Sequence, residues 1–139
     1  MQQERLEATL RYLIELCIRD KLRLEFSPPT EDPQSEFGEF CAATRAINIF
    51  KERTAPMNIF HVYSLAHEYR HYKQWESLDG YESWLYSIGY TAKDDQAEAA
   101  RLEIDADEYA FSVLRQHKVR ITKKLKEFVA DRKAFFEGG

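Results

Sequence analysis

In the stretch SLAHEYRHYKQW (64–75), two imidazoles stand four positions apart, at His67 and His71, with the carboxylate of Glu68 directly after the first. An α-helix turns about 100° per residue, so positions i and i+4 lie about 40° apart and both rings can aim at one point. Neutral imidazoles so placed form a pair of nitrogen donors for a divalent metal. Glu68, about 100° further round, is near enough to act as a base on a water at that metal and too far round to be an obvious third ligand. The plainer alternative is a polar helix on which two histidines are merely neighbours.

A third ligand separates these readings, because a zinc site that keeps a position for water takes three protein ligands. AEAARLEIDADEYAFSVL (97–114) reads as a second helix and offers Glu98, Glu103, Asp105, Asp107 and Glu108. Counted from Glu103, Asp107 lies at about 40°, Glu108 at about 140° and Asp105 at about 200°, while Ala99, Ala106, Ala110 and Leu114 fall within about 60°. Glu103 and Asp107 thus occupy a stripe of small apolar residues, the face expected to pack inward. A carboxylate there is costly unless it is paired or bound to metal. The alanines also let this helix approach the histidine helix closely, as short ligand side chains require. Asp107, one turn beyond Glu103, suits accepting a hydrogen bond from the far ring nitrogen of His67 or His71, which fixes the metal-binding tautomer. Asp105 and Glu108 point elsewhere and are expected to be solvated. The 64–75 stretch is therefore read as a metal helix.

The elements that must position these residues follow from periodicity and turn chemistry. Residues 2–20 carry Leu6, Leu10, Leu13, Ile14 and Cys17 in one helical stripe. LRLEF (22–26) alternates as a short strand, and SPPTEDPQSEFG (27–38), with three of the four prolines, is a loop. EFCAATRAINIF (39–50) resumes strand character as a hairpin turning near 43–45. The histidine helix is expected from about 57 to 77 with Pro56 suited to its first turn, a second long helix from about 95 to 117, and a last one from about 119 to 136. The aromatic connection LDGYESWLYSIGYTAKDD (78–95) has room for a short helix between Gly80 and Gly89, and Tyr81, Trp84, Leu85 and Tyr86 are expected to wall one side of a cleft. Helix, small sheet, then three or four helices give an α+β class and a single domain over 1–139.

Composition narrows the function. With 44% hydrophobic and 32% charged residues the chain is globular rather than disordered. A net charge of −4 argues against a nucleic-acid partner. The densest basic run, Arg120, Lys123, Lys124 and Lys126, is interrupted by Glu127 and Asp131 and reads as a solvated helix face. Cys17 and Cys41 are too few for a disulfide framework or a cysteine-type zinc knuckle and are expected as buried small apolar side chains. No apolar run reaches membrane-spanning length and the charged N-terminal stretch is not a signal peptide, so a cytoplasmic protein with no membrane partner is expected. Trp75, Trp84, Phe111, Phe128, Phe135 and Phe136 are expected in the core.

His67-Glu68-x-x-His71, followed by Glu103-x-x-Ala106-Asp107, resembles the gluzincin metallopeptidases, the thermolysin-like class whose third ligand is a glutamate. EIDADEYA (103–110) is similar to the Glu-x-x-Ala-(Asn/Asp)-x-(Phe/Tyr)-Ala helix of ImmA/IrrE-like peptidases and of the compact minigluzincins. The resemblance covers nearly the whole length and implies a compact gluzincin-like domain: N-terminal helix, small sheet, HExxH active-site helix, glutamate helix, C-terminal helix. It implies zinc as cofactor, His67, His71 and Glu103 as its ligands, and Glu68 as general base. The implied activity is that of a small intracellular zinc endopeptidase. A substrate peptide would lie extended against the AINIF strand (46–50) as an edge strand. The 78–95 connection matches no pattern of the family, and no helix-turn-helix is attached.

Two other functions compete. One is a peptidase-like protein that holds zinc and a protein partner without cleaving, and the other is a helical interaction protein with no metal. The oxyanion donor is open among Tyr86, Tyr90, Tyr109 and His117. His117 shares the Glu103 face but lies about 21 Å along the helix. His61, about 120° off the metal face, is expected to be unrelated.

Overall fold

Among the residues that the computed structural model describes (2–29, 37–52, 54–78 and 96–138), the chain is α+β, with four helices and a three-stranded sheet. α1 (Gln2–Arg19) buries Leu6, Leu13 and Cys17 of the predicted stripe together with Thr9, while Leu10 and Ile14 are half-buried at its edge. It stops where Lys21 turns to φ 57° and the Lys21 and Leu22 amides donate back to the Ile18 and Cys17 carbonyls at 3.1 and 2.8 Å. This cap usually uses glycine at the left-handed residue. The turn sends the chain directly into β1 (Arg23–Ser27), followed by β2 (Gly38–Cys41) and β3 (Ala46–Phe50).

β2 and β3 form the expected antiparallel hairpin, with Arg45 at φ 52° in its turn. β1 pairs with the other side of β3 in parallel, Arg23 opposite Ala46 and Phe26 opposite Ile49. The strand order β1-β3-β2 corrects one expectation: 46–50 is the central strand, its backbone groups are taken on both sides, and no peptide can pair with it. Burial explains the order, since Ala46, Ile47 and Ile49 are all buried, as befits an inner strand.

The sheet seats α2 (Ile59–Glu76). A Cβ on Gly38 would stand 2.7 Å from Ser64 Oγ and 2.9 Å from the Asn48 carbonyl oxygen, so only glycine lets β2 lie this close to the helix. Asn58 caps α2 and corrects the placing of Pro56, which lies two residues before the cap rather than in the first turn. The cap is reciprocal: the His61 amide donates to Asn58 Oδ1 at 3.0 Å and the Asn58 amide donates to His61 Nδ1 at 3.1 Å. Burial and the nearby Lys51 lower the His61 pKa, favouring the neutral ring that can accept this bond. His61 is thus a capping residue, apart from the metal face.

α2 is buried all round from His61 to Tyr69, which marks it as the central helix rather than a surface one. α1 is tied to it at Tyr69, whose hydroxyl donates to Asp20 at 2.5 Å and accepts from Arg19 at 3.1 Å. On another side lies α3 (Gln96–Gln116), with Ala106, Ala110 and Leu114 at zero exposure. α3 ends like α1, with Lys118 at φ 58° and the Val119 amide on the Leu114 carbonyl at 2.9 Å.

The last helix, α4 (Lys123–Gly138), begins four residues later than expected. Val119 and Ile121 are apolar because they are buried in an extended approach, and Thr122 supplies the cap, its Oγ1 accepting from the Leu125 amide at 3.3 Å. One core cluster draws on all four helices and β3, with Phe128, Phe111 and Trp75 packed against it. Phe135 departs from expectation, 73% exposed near the end of α4. Both cysteines are free, but Cys41 is exposed on β2, and only Cys17 is buried. Arg120, Lys123, Lys124 and Lys126 are exposed as expected. No helix among the described residues is long and apolar enough to cross a membrane. Residues 78–95 fall almost wholly outside the described residues, and with them the expected short helix and the Tyr81–Tyr86 cleft wall.

Candidate metal centre

His67 and His71 project from one side of α2 towards Glu103 on α3. The two Nε2 atoms are 3.0 Å apart, Glu103 Oε2 is 3.2 Å from His67 Nε2, and Glu103 Oε1 is 3.1 Å from His71 Nε2. Ligand atoms about 2.1 Å from one tetrahedral ion lie about 3.4 Å from each other, so this cluster is a few tenths of an ångström tighter than a face of such a site. His67 is 6% exposed, which rules out the plain alternative of surface neighbours on a polar helix.

The tautomers are set from behind. Asp107 Oδ1 lies 2.8 Å from His67 Nδ1 and also accepts a hydrogen bond from the Tyr63 hydroxyl. Of the two histidines the sequence left open for Asp107, His67 is the partner. His71 Nδ1 meets Gln74 Oε1 at 2.8 Å. The amide of Gln74 cannot flip without loss, because its Nε2 donates to the Leu102 carbonyl and to Asp105 Oδ2, both at 2.9 Å. Each Nδ1 therefore donates, so in the neutral ring Nε2 is the nitrogen that presents its lone pair to the common point. Asp105, expected to be merely solvated, instead anchors Gln74 and receives Arg70 Nε at 2.8 Å and Nη2 at 3.2 Å.

Glu68 is 8% exposed, with Oε2 3.9 Å from His67 Nε2, at the edge of the cluster. A third element contributes a residue that sequence spacing missed. Arg132 of α4 donates through Nη2 to Glu103 Oε2 at 2.6 Å and through Nε to Asp107 Oδ2 at 3.2 Å. Its guanidinium lies over the rings of Phe128 and Phe136, at 5.8 and 5.2 Å.

These contacts set the electrostatics of the metal-free protein. Burial works against charge on His67, but hydrogen bonds to Asp107 and Glu103 and the charge of Glu68 outweigh it, and its pKa is pushed up to about 10. His71 is raised as well, against the same burial, mainly by its hydrogen bond to Glu103. Burial alone would raise the Glu103 and Asp107 pKa values, yet their hydrogen bonds to the histidines hold both below the usual range. Glu68, Glu103 and Asp107 together outnumber the one fixed cation, Arg132, which is why positive charge on the histidines is favoured in the metal-free protein.

Other sequence candidates stand apart. Tyr109 packs beside Tyr69 with Arg70 over its ring, and His117 Nδ1 meets the Val113 carbonyl at 3.0 Å and stacks near Tyr12. Glu108 is exposed. Tyr86, Tyr90 and the Glu98 side chain lie outside the described residues.

No family model, curated protein or solved structure matches this chain.

Proposed function

We propose that the protein is a zinc-dependent endopeptidase of the gluzincin type, akin to the compact minigluzincin and ImmA/IrrE-like peptidases. One observation carries this reading: two imidazole nitrogens, both with their opposite nitrogens committed as donors, converge with a carboxylate at spacings close to those of a tetrahedral site. Imidazole and carboxylate donors in that geometry suit zinc. His67, His71 and Glu103 would hold it, and it would supply Lewis acidity and an activated water near neutral pH.

The rest of the work falls to the chain. Glu68, the residue after the first ligand, takes the proton of the attacking water and returns it to the departing amine. Asp107 and Gln74 hold the rings so that the ligand atoms need no reorganisation. Glu103 retains 31% side-chain exposure, which supports access from that side. An extended peptide would add to the outer edge of β2, which carries no strand among the described residues and lies against α2 at Gly38 and Ser64.

The test is elemental analysis of protein purified without added metal, with peptide-library cleavage, for wild type, Glu103→Ala and Glu68→Gln. The reading expects near one zinc per chain, loss of zinc in Glu103→Ala, and retained zinc without cleavage in Glu68→Gln. Zinc without cleavage in wild type would replace the peptidase by a zinc-holding partner-binding module, and no zinc after reconstitution would end both.

A further inference from the structure

The two oxygens of Glu103 have different neighbours. Both face the histidine pair, Oε1 3.1 Å from His71 Nε2 and Oε2 3.2 Å from His67 Nε2, but Oε2 also accepts from Arg132 Nη2 at 2.6 Å, a charge-assisted bond at the short end of the range. Arg132 is itself held. Its Nε is on Asp107 Oδ2, the other oxygen of Asp107 is on His67 Nδ1, and two aromatic rings flank the guanidinium. It cannot swing off Glu103 without also releasing the carboxylate that orients His67.

We propose that Arg132 is a positioning residue that fixes Glu103 as a one-oxygen ligand and so keeps a coordination position free for water. The inference rests on the metal-centre reading above. A glutamate beside a divalent ion can give one oxygen or chelate with both, and chelation here would take the position that hydrolysis needs. Holding Oε2 on a cation leaves Oε1 as the donor. Charge points the same way: Glu68, Glu103 and Asp107 carry three negative charges, a divalent ion two positive and Arg132 one, so the loaded centre is neutral. Without Arg132 the surplus negative charge favours drawing a second oxygen onto the metal.

Affinity alone cannot test this, because Arg132 both orients a ligand and repels the cation, and these act in opposite directions. Coordination number can. Cobalt(II) replaces zinc in such sites, and its visible absorption is several-fold more intense in four-coordinate than in five- or six-coordinate geometry. Wild type, Arg132→Met, Arg132→Gln and Arg132→Lys would be loaded with cobalt(II), with bound metal counted and folding checked by circular dichroism. The expected result is an intense four-coordinate spectrum for wild type and at least a threefold loss of intensity at full occupancy in Arg132→Met. Arg132→Lys, which keeps a cation beside Oε2, recovers most of it. Arg132→Gln carries the same expectation as Arg132→Met should methionine not fold at this half-buried position. Four-coordinate spectra in wild type and in the folded Met or Gln variant would overturn the inference and leave the metal centre standing. A wild type that takes up no cobalt or zinc would overturn both.

Discussion

At the scale of single residues, Asp107 serves three groups with two oxygens: His67 and Tyr63 on Oδ1, Arg132 on Oδ2. An asparagine has one oxygen. In Asp107→Asn the amide nitrogen would oppose either the Arg132 donor or the His67 and Tyr63 donors, so zinc affinity should fall about 10- to 100-fold. Competition against a chromophoric chelator measures this, and a change within twofold would remove Asp107 from the site. The raised pKa of His67 gives a pH prediction. Charged His67 contributes stability to the metal-free protein that is fully present below its unfolded value of about 6.5. That contribution is lost as pH rises through about 10. Zinc needs the neutral ring and must expel that proton, so affinity should rise with pH across this window. Titration calorimetry at pH 7.5 in buffers of different ionisation enthalpy should show proton release, and none released would contradict the assignment. His67, His71, Glu103 and Asp107 were legible in the sequence because a charged or ligating group on an inward helical face stands out. Gln74 was not, because an uncharged amide one turn from a ligand raises no such flag. Nor was Arg132, since the periodicity of α4 says nothing of where that helix docks.

At the scale of elements, α1 and α3 end on the same device, a lysine in the left-handed region at Lys21 and Lys118, followed by a buried apolar residue that folds back onto the last turn. That conformation costs an L-residue roughly 1–2 kcal/mol that glycine avoids, less the extra freedom glycine gains on unfolding. Lys118→Gly should therefore stabilise the protein by about 0.5–1 kcal/mol. Urea denaturation reads the change directly, and a loss of stability would mean that the Lys118 side chain does more than tolerate its backbone. The hairpin and the order of helices were legible because turn residues and apolar spacing are local. The strand order was not. A parallel partner for β3 comes from a distant segment, and nothing local in AINIF distinguishes an inner strand from an edge one. The start of α4 is hidden for a related reason: Val119 and Ile121 are apolar through tertiary burial, and Ile121 with Leu125 and Phe128 falls at helical spacing.

At the scale of the whole molecule, the metal would bind between two helices that already meet through His67–Asp107 and Arg70–Asp105. His67 and His71 come from α2 and Glu103 from α3, so an ion bound there cross-links them and favours the folded state by mass action. Zinc at about 1,000 times its dissociation constant should add about 4 kcal/mol to unfolding. Thermal melts with and without zinc test this, and Glu103→Ala should melt at the same temperature in both. An equal rise in that variant would place the ion elsewhere. The unbroken burial of α2 from His61 to Tyr69 has a further consequence. In most helices, substitutions are tolerated on every third or fourth position, where the side chain faces water. Here that stretch has no such positions, so a saturation library scored for folded protein should show one continuous intolerant block. The residues that could hold a metal and the residues that hold the fold would then be indistinguishable by tolerance alone, and only a readout of bound metal would tell His67 from Leu65.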